Sequence, residues 1–167
     1  TAVPSGKVLR ERLGRPVAVD NDANCHALGE YGYGPSPRPS VLVAITLGTS
    51  IGLGIVIEGR VLRGERNQAG EIWRSPVDLT GGDEAIVESI VGGDGIHSVY
   101  RARTGESVSA ETVAARAREG DPAAIEVFAR FGAVLGGTLR WLSDLLDPGR
   151  IVLGGSICAS FDLFSGP

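Results

Sequence analysis

Asp20, Asn21, Asp22 and Asn24 crowd one junction of the chain, in "VDNDAN". A carboxylate where a strand hands over to a helix can take a proton from a substrate hydroxyl, and an amide beside it can orient the substrate. The same four residues also suit a helix start, with Asp22 capping the first turn. A second candidate is "ITLGTSIGLGIVIEG", where Gly48, Thr49, Ser50 and Gly52 separate two apolar runs. A hairpin tip of this composition can turn backbone N–H groups and two hydroxyls toward one anion, with no side chain in the way. It also suits a plain turn of small residues. A phosphate loop of the Lys-Ser or Lys-Thr kind is excluded, and the dinucleotide pattern G-x-G-x-x-G is absent. Third, "NQAGEIWRSPV" sets Glu71 in a polar turn, where a carboxylate can accept from two hydroxyls of a polyol or simply face water. Fourth, "LGGSI" ends a strand in Gly154 and Gly155, which lets a flat ligand or a phosphate lie against backbone, or only turns the chain. Glu84 and Glu88 fall on one face of a predicted helix, a pairing that says little alone. His26 and His97 have no metal-site spacing and read as structural.

The elements that must hold these groups follow from periodicity. Residues 4–14 read as a short helix stopped by Gly14, and "RPVAVDN" as a short strand. Residues 23–34 resume helical spacing, with Ala23, Ala27 and Leu28 as the buried stripe. "PSPRPS" carries three prolines and reads as a linker. Residues 41–47 are a β-branched strand, followed by a second in "IGLGIVIEG" and a third in "RVLRG", a meander with short turns. Residues 82–93 and 95–105 read as two short helices broken at Gly92-Gly93. A third helix is capped by Ser109 and stopped by Gly120. The longest begins at Asp121-Pro122 and buries Ile125, Phe128, Leu135, Leu139, Leu142 and Leu146, while Gly132, Gly136 and Gly137 allow close packing. "RIVLGGSI" is a strand, and "CASFDLF" opens another helix.

The bulk numbers narrow the classes. With 167 residues the chain can bury a real core. A net charge of −4 without a Lys/Arg cluster argues against a nucleic-acid or acidic-membrane surface. No purely apolar run approaches the roughly 20 residues that span a bilayer, and no secretion signal opens the chain. Cys25 and Cys158 stand far apart, so a reducing cytoplasm is the expected compartment. The chain lacks Met, starts at Thr1 and ends abruptly at "FDLFSGP", which reads as a piece of a longer protein.

In this order, the stretches resemble the ROK family: bacterial sugar kinases, glucokinases among them, and related sugar-responsive repressors. "VAVDNDANCHALGEYGYG" is similar to the family segment around its catalytic aspartate, and "ITLGTSIGLGIVIEGRVLRG" to its second phosphate-binding segment. "AGEI" resembles the start of the sugar-binding motif, "VESIVGGDGI" a helix start with a further sugar-binding Glu, and "DPGRIVLGGSI" the strand and Gly pair near adenosine. The resemblance implies an ATP-dependent hexose kinase of glucokinase type. Asp22 would be its general base, and Asn21, Glu71 and Glu88 its sugar ligands. Gly48, Thr49 and Gly52 would approach the ATP phosphates, Gly154 and Gly155 the nucleotide, and Mg²⁺ would enter through the phosphates. The implied fold is α/β, the actin-like ATPase (ribonuclease H-like) fold. Residues 1–36 would be the tail of its small N-terminal domain, and residues 37–167 most of the larger one, truncated at the C-terminal end.

Three departures from the family pattern stand out. Trp73 and Arg74 occupy the place of the family's Gly-His after AGEI. Residues 72–87 hold no Cys, so the zinc motif of many members is not expected. The amino-terminal phosphate segment and the last helical part are missing, so this piece is expected to be inactive alone and to form a homodimer, with no membrane or nucleic-acid partner. The alternative within the family is the effector-binding part of a ROK-type transcriptional repressor, which binds sugar without phosphorylating it. An actin-like scaffold without sugar fits Asp22 and Glu71 poorly.

Overall fold

The structure is a computed structural model of the chain and describes residues 5–78 and 84–166. Its centre is a four-stranded mixed sheet of β1 (Val41–Leu47), β2 (Ile51–Ile57), β3 (Arg60–Val61) and β6 (Arg150–Gly154), in the order β3-β2-β1-β6. The meander is present: β1 pairs antiparallel with β2 from Val41↔Ile57 to Leu47↔Ile51, and β2 with β3 across Glu58-Gly59. Both turn residues take positive φ, and glycine does so without steric cost. β6 returns parallel to β1, from Leu42↔Arg150 to Thr46↔Gly154. Local pattern alone did not place that pair, because it joins residues about a hundred positions apart.

Alternation sends the two faces of β1 and β2 into different cores. Val43, Ile45, Leu47, Ile51, Leu53 and Ile55 face a large core with helices α3 (Gly93–Thr104), α4 (Ala110–Arg118) and α5 (Pro122–Leu146). Leu42, Ala44 and Val56 face α2 (Asp22–Tyr33) through Ala27 and Tyr31. A strand buried on both sides needs no polar alternation, which is why "VLVAITL" is continuously apolar. Asp121 caps α5 by accepting from the Ala123 N–H at 2.9 Å. Phe128, Phe131, Leu135 and Leu142 of α5 are buried, each contributing about 1.5–3 kcal/mol by leaving water. Short α6 (Phe161–Phe164) closes this core, with the Phe164 ring 4.9 Å from that of Phe131. α5 is long and apolar enough to cross a membrane by length and composition, but its apolar stripe is that of a core helix. Of its glycines only Gly132 is a close contact, against the Phe164 backbone; Gly136 and Gly137 face open space.

Several expectations fail for physical reasons. "RPVAVDN" forms no strand, because no described strand lies beside it, and Val19 is exposed. Leu28 and Ile125 are exposed, each at the edge of its helix's buried stripe. The helix read over 82–93 is not one: residues 82 and 83 lie outside the described residues, and Glu84–Ile86 form β5, paired with β4 (Pro76–Asp78). A 3-10 turn at Val87–Ser89 follows, and the Val87 N–H donates to the Ser75 carbonyl at 2.9 Å. Pairing outcompetes helix here because Ile86 and Val87 in this segment are β-branched and apolar. Glu84 and Glu88 therefore do not share a helix face.

α2 lies unusually close to β2. A Cβ on Gly54 would stand 2.2 Å from the Ala23 carbonyl oxygen and 2.7 Å from the Ala27 Cβ. A Cβ on Gly52 would stand 2.5 Å from Thr46 Oγ1 and 3.1 Å from the Ala23 Cβ. Gly54 is thus side-chain-free for the helix beneath it, and Gly52 for the Thr46 side chain as well as for the helix. Gly48, at the tip, has open space where a Cβ would go. Gly54→Ala is expected to destabilise the chain by about 3 kcal/mol, the upper end of overpacking costs. Gly48→Ala should change stability by less than about 0.5 kcal/mol. Urea unfolding of both variants checks the pair, and equal midpoints would contradict the close approach.

Candidate active site

The junction before α2 is a scaffold of hydrogen bonds with one group left over. Asn21, not Asp22, is the N-cap: its Oδ1 accepts from the N–H groups of Ala23 at 2.9 Å and Asn24 at 3.4 Å. Asp20 Oδ1 accepts from the buried Asn24 Nδ2 at 3.0 Å and from the Asn21 N–H at 2.9 Å. Its Oδ2 accepts from Arg63 Nε at 3.0 Å and Nη2 at 2.5 Å, across 43 residues of sequence. Among the described residues Asp22 Oδ1 accepts only from the next N–H, that of Ala23, at 2.9 Å. Three of the four polar residues thus build the helix start, and Asp22 keeps a carboxylate oxygen free, on an exposed side chain. The Asn21 oxygen is spent on the cap, and its amide NH₂ donates to no described residue.

The hairpin tip faces this junction. Its carbonyls are already taken: the Gly93 N–H donates to Gly48 O at 2.8 Å, and the Asp94 N–H to Thr49 O at 3.1 Å, from the first residues of α3. The Gly48 N–H closes on Ser50 O at 3.0 Å. The N–H groups of Thr49 and Ser50 donate to no described residue, so two donors remain for an anion where the sequence suggested several. The Ser50 hydroxyl donates to Glu88 Oε1 in a short hydrogen bond, which ties Glu88 to the tip.

Glu71 comes from a tight turn docked on β2. Gly70 takes φ +91, and a Cβ there would stand 2.4 Å from Leu53 O. The Ile72 N–H donates back to Gly70 O at 2.7 Å, and buried Ile72 anchors the turn. Trp73 Nε1–H donates to Glu71 Oε2 at 2.5 Å. On the far side, Gly155 takes φ +100 beneath Leu47 O, where a Cβ would stand 2.4 Å away. Gly154 answers to His26: its Cβ would stand 2.7 Å from His26 Nε2, a buried nitrogen with no hydrogen-bond partner among the described residues. Glycine at 154 is thus required by packing against α2.

These elements enclose a cavity of about 430 Å³ lined by Asn21, Asp22, Gly48, Thr49, Gly52, Glu71 and Gly155 among the expected residues. Thr46, Ser50, Gly70 and Trp73 join them. Glu88 and Gly154 stand behind the lining, the first through Ser50 and the second beside Gly155. Seven expected positions from four separate segments therefore meet. Thr46 and Gly70 carried no chemical signal in the sequence: one is a strand residue and the other a turn glycine. Among the described residues no group of three or more His, Cys, Asp or Glu is placed to hold a metal ion.

A mixed sheet with helices on both faces and a polar cleft at the end of β1 and β6 is the architecture of the actin-like ATPase fold. The model of the ROK family matches residues 2–165, and the chain belongs to that family. It is 34% identical to an N-acetyl-D-glucosamine kinase of Pasteurella multocida over 92% of this chain and 56% of the relative. Among solved structures it is similar to a ROK hexokinase from Thermus thermophilus, with a TM-score of 0.85, 30% identity, and coverage of 98% of this chain and 60% of that one. It is also similar to a ROK family glucokinase from Streptomyces griseus in complex with glucose and AMPPNP, with a TM-score of 0.78, 28% identity, and coverage of 96% and 59%. The chain thus spans somewhat more than half the length of these relatives.

The Asp20 knot gives the site a pH dependence. The Asn24 amide, then Arg63 and the Asn21 N–H, hold its carboxyl below the usual 3.8, against the opposing effect of burial. A folded value below the unfolded one stabilises the fold above the unfolded value, and that stabilisation is lost as pH falls through the folded value. Asp20→Asn removes the charge and should flatten the acid limb. Melting temperatures taken from about pH 7 down to about pH 3 check this. The wild type is expected to lose more stability below about pH 4 than the variant, and parallel curves would contradict it.

Proposed function

We propose that the chain carries most of the catalytic cleft of an ATP-dependent sugar kinase, which transfers the γ-phosphate of ATP to a hydroxyl of a hexose or hexose-type amino sugar. The observation that supports this best is the free oxygen of Asp22, in one cavity with the two unpaired N–H groups of the hairpin tip and the Glu71 carboxylate. In this reading residues 1–36 are the tail of the smaller domain and residues 37–167 most of the larger one, with α2 packed against the sheet through Ala27 and Tyr31.

The residues divide the work by chemistry. Glu71 accepts hydrogen bonds from sugar hydroxyls, and the Asn21 NH₂ donates to a sugar oxygen. Glu88, braced by Ser50, is a further acceptor. The N–H groups of Thr49 and Ser50 bind phosphate oxygens, and the backbone at Gly155 borders the nucleotide. Asp22 takes the proton from the attacking hydroxyl while the new O–P bond forms and the bond to the departing ADP oxygen breaks. Mg²⁺, held by the phosphates, would offset their charge. Positioning and charge neutralisation carry most of such a reaction, which suits a site built largely from backbone and carboxylates.

A coupled ATP-consumption assay of the full-length protein that contains this chain tests the reading, with a panel of hexoses and amino sugars. Sugar-dependent turnover is expected, and Asp22→Asn should lower kcat about 10²–10⁴-fold with little change in the sugar KM. Glu71→Ala should instead raise the sugar KM about ten-fold or more. Undiminished turnover by Asp22→Asn removes it as the base. Sugar binding without any turnover by the wild type transfers the reading to the effector-binding part of a ROK-type repressor.

A further inference from the structure

Trp73 is the residue in the cleft that the reaction does not by itself require. Its indole N–H donates to Glu71 Oε2 at 2.5 Å while its side chain lines the cavity. It is in turn held from outside. The Arg74 guanidinium carbon lies 5.8 Å from the Trp73 ring centroid, a cation–π distance, and Arg74 Nη2 donates to Gln68 Oε1 at 2.9 Å. Gln68, Arg74, Trp73 and Glu71 thus form one chain of contacts within a seven-residue turn, and buried Ile72 pins that turn to the core.

A glutamate has three rotatable side-chain bonds, and ordering it on a ligand costs up to about 2 kcal/mol of rotamer freedom. A partner that orders it beforehand removes that cost from binding. A carboxylate offers about four lone-pair sites, so one indole donor leaves Oε1 and part of Oε2 open. Charge-assisted bonds of this length are among the stronger ones available to a side chain.

We propose that Trp73 is a positioning residue for the sugar: it fixes the Glu71 carboxylate through Oε2 and leaves Oε1 turned to the sugar hydroxyls. This rests on the kinase reading of the same cleft. The effect belongs to sugar binding and not to phosphoryl transfer, because Trp73 orders a ligand-binding acceptor and not the base.

The test is Trp73→Phe in the full-length protein, which keeps an aromatic ring and removes the donor. The sugar KM should rise about ten-fold while kcat and the KM for ATP stay within about two-fold. In a Glu71→Ala background, Trp73→Phe should add little, because without the carboxylate the indole has nothing to position. A sugar KM that does not move, or an equal rise in both backgrounds, overturns the assignment while leaving the kinase reading in place. A wild type that phosphorylates no sugar removes both. A second measurement needs no substitution in the cleft. The indole N–H resonance of Trp73, assigned through its contacts with the Glu71 segment, should shift on saturation with glucose or N-acetylglucosamine. A Trp73 signal unmoved by a sugar that the protein demonstrably phosphorylates overturns the proposal even if Trp73→Phe fails to fold.

Discussion

The approach of α2 to β2 is the constraint on which the site depends. A helix usually packs on a sheet at a distance set by side chains on both. Here Gly52 and Gly54 supply none, and Ala23 and Ala27 supply one carbon each, so the Ala23 backbone comes within van der Waals range of the strand. That approach carries the N-terminus of α2, and with it Asp22, up to the end of the sheet where the β1–β2 hairpin turns. A larger residue at 54 would lift the helix and move Asp22 away from the tip.

Around that contact the chain assigns nearly every polar group to a structural duty before any ligand arrives. Asn21 caps, Asn24 and Arg63 hold Asp20, α3 takes the hairpin carbonyls, and Ser50 holds Glu88. Among the described residues the groups left unpaired include an oxygen of Asp22, the amide NH₂ of Asn21, two N–H groups of the tip and an oxygen of Glu71. Such subtraction produces preorganisation. In the kinase reading proposed above, groups held in place by such neighbours would meet a substrate with little reorganisation. The rigid large core beneath, with Phe131 and Phe164 in contact, supports the α3 terminus that steadies the tip.

The amino-acid sequence by itself determined the parts whose signals are local. Asp121-Pro122 starts α5, Ser109 caps α4, Glu58-Gly59 turns β2 into β3, and "VLVAITL" is a strand under any reading of its β-branched run. It also marked most of the residues that line the cleft, because Asp, Glu and clustered glycines are conspicuous outside a core. Tertiary structure alone decided what those residues are for. Asn21 and Asp22 look equally fit to cap, and only the geometry of the α2 start gives the cap to Asn21 and leaves Asp22 free. Gly48, Gly52 and Gly154 look alike in the chain, yet Gly48 borders open space while Gly52 and Gly154 answer to Thr46 and His26. The strand read at 15–21 and the helix read at 82–93 failed for the same reason: a partner, absent in one case and supplied by Pro76–Asp78 in the other, decides between extended and helical backbone. Local propensity is worth tenths of a kcal/mol per residue, whereas a paired strand or a buried cap is worth several times that, and such partners lie far away in sequence.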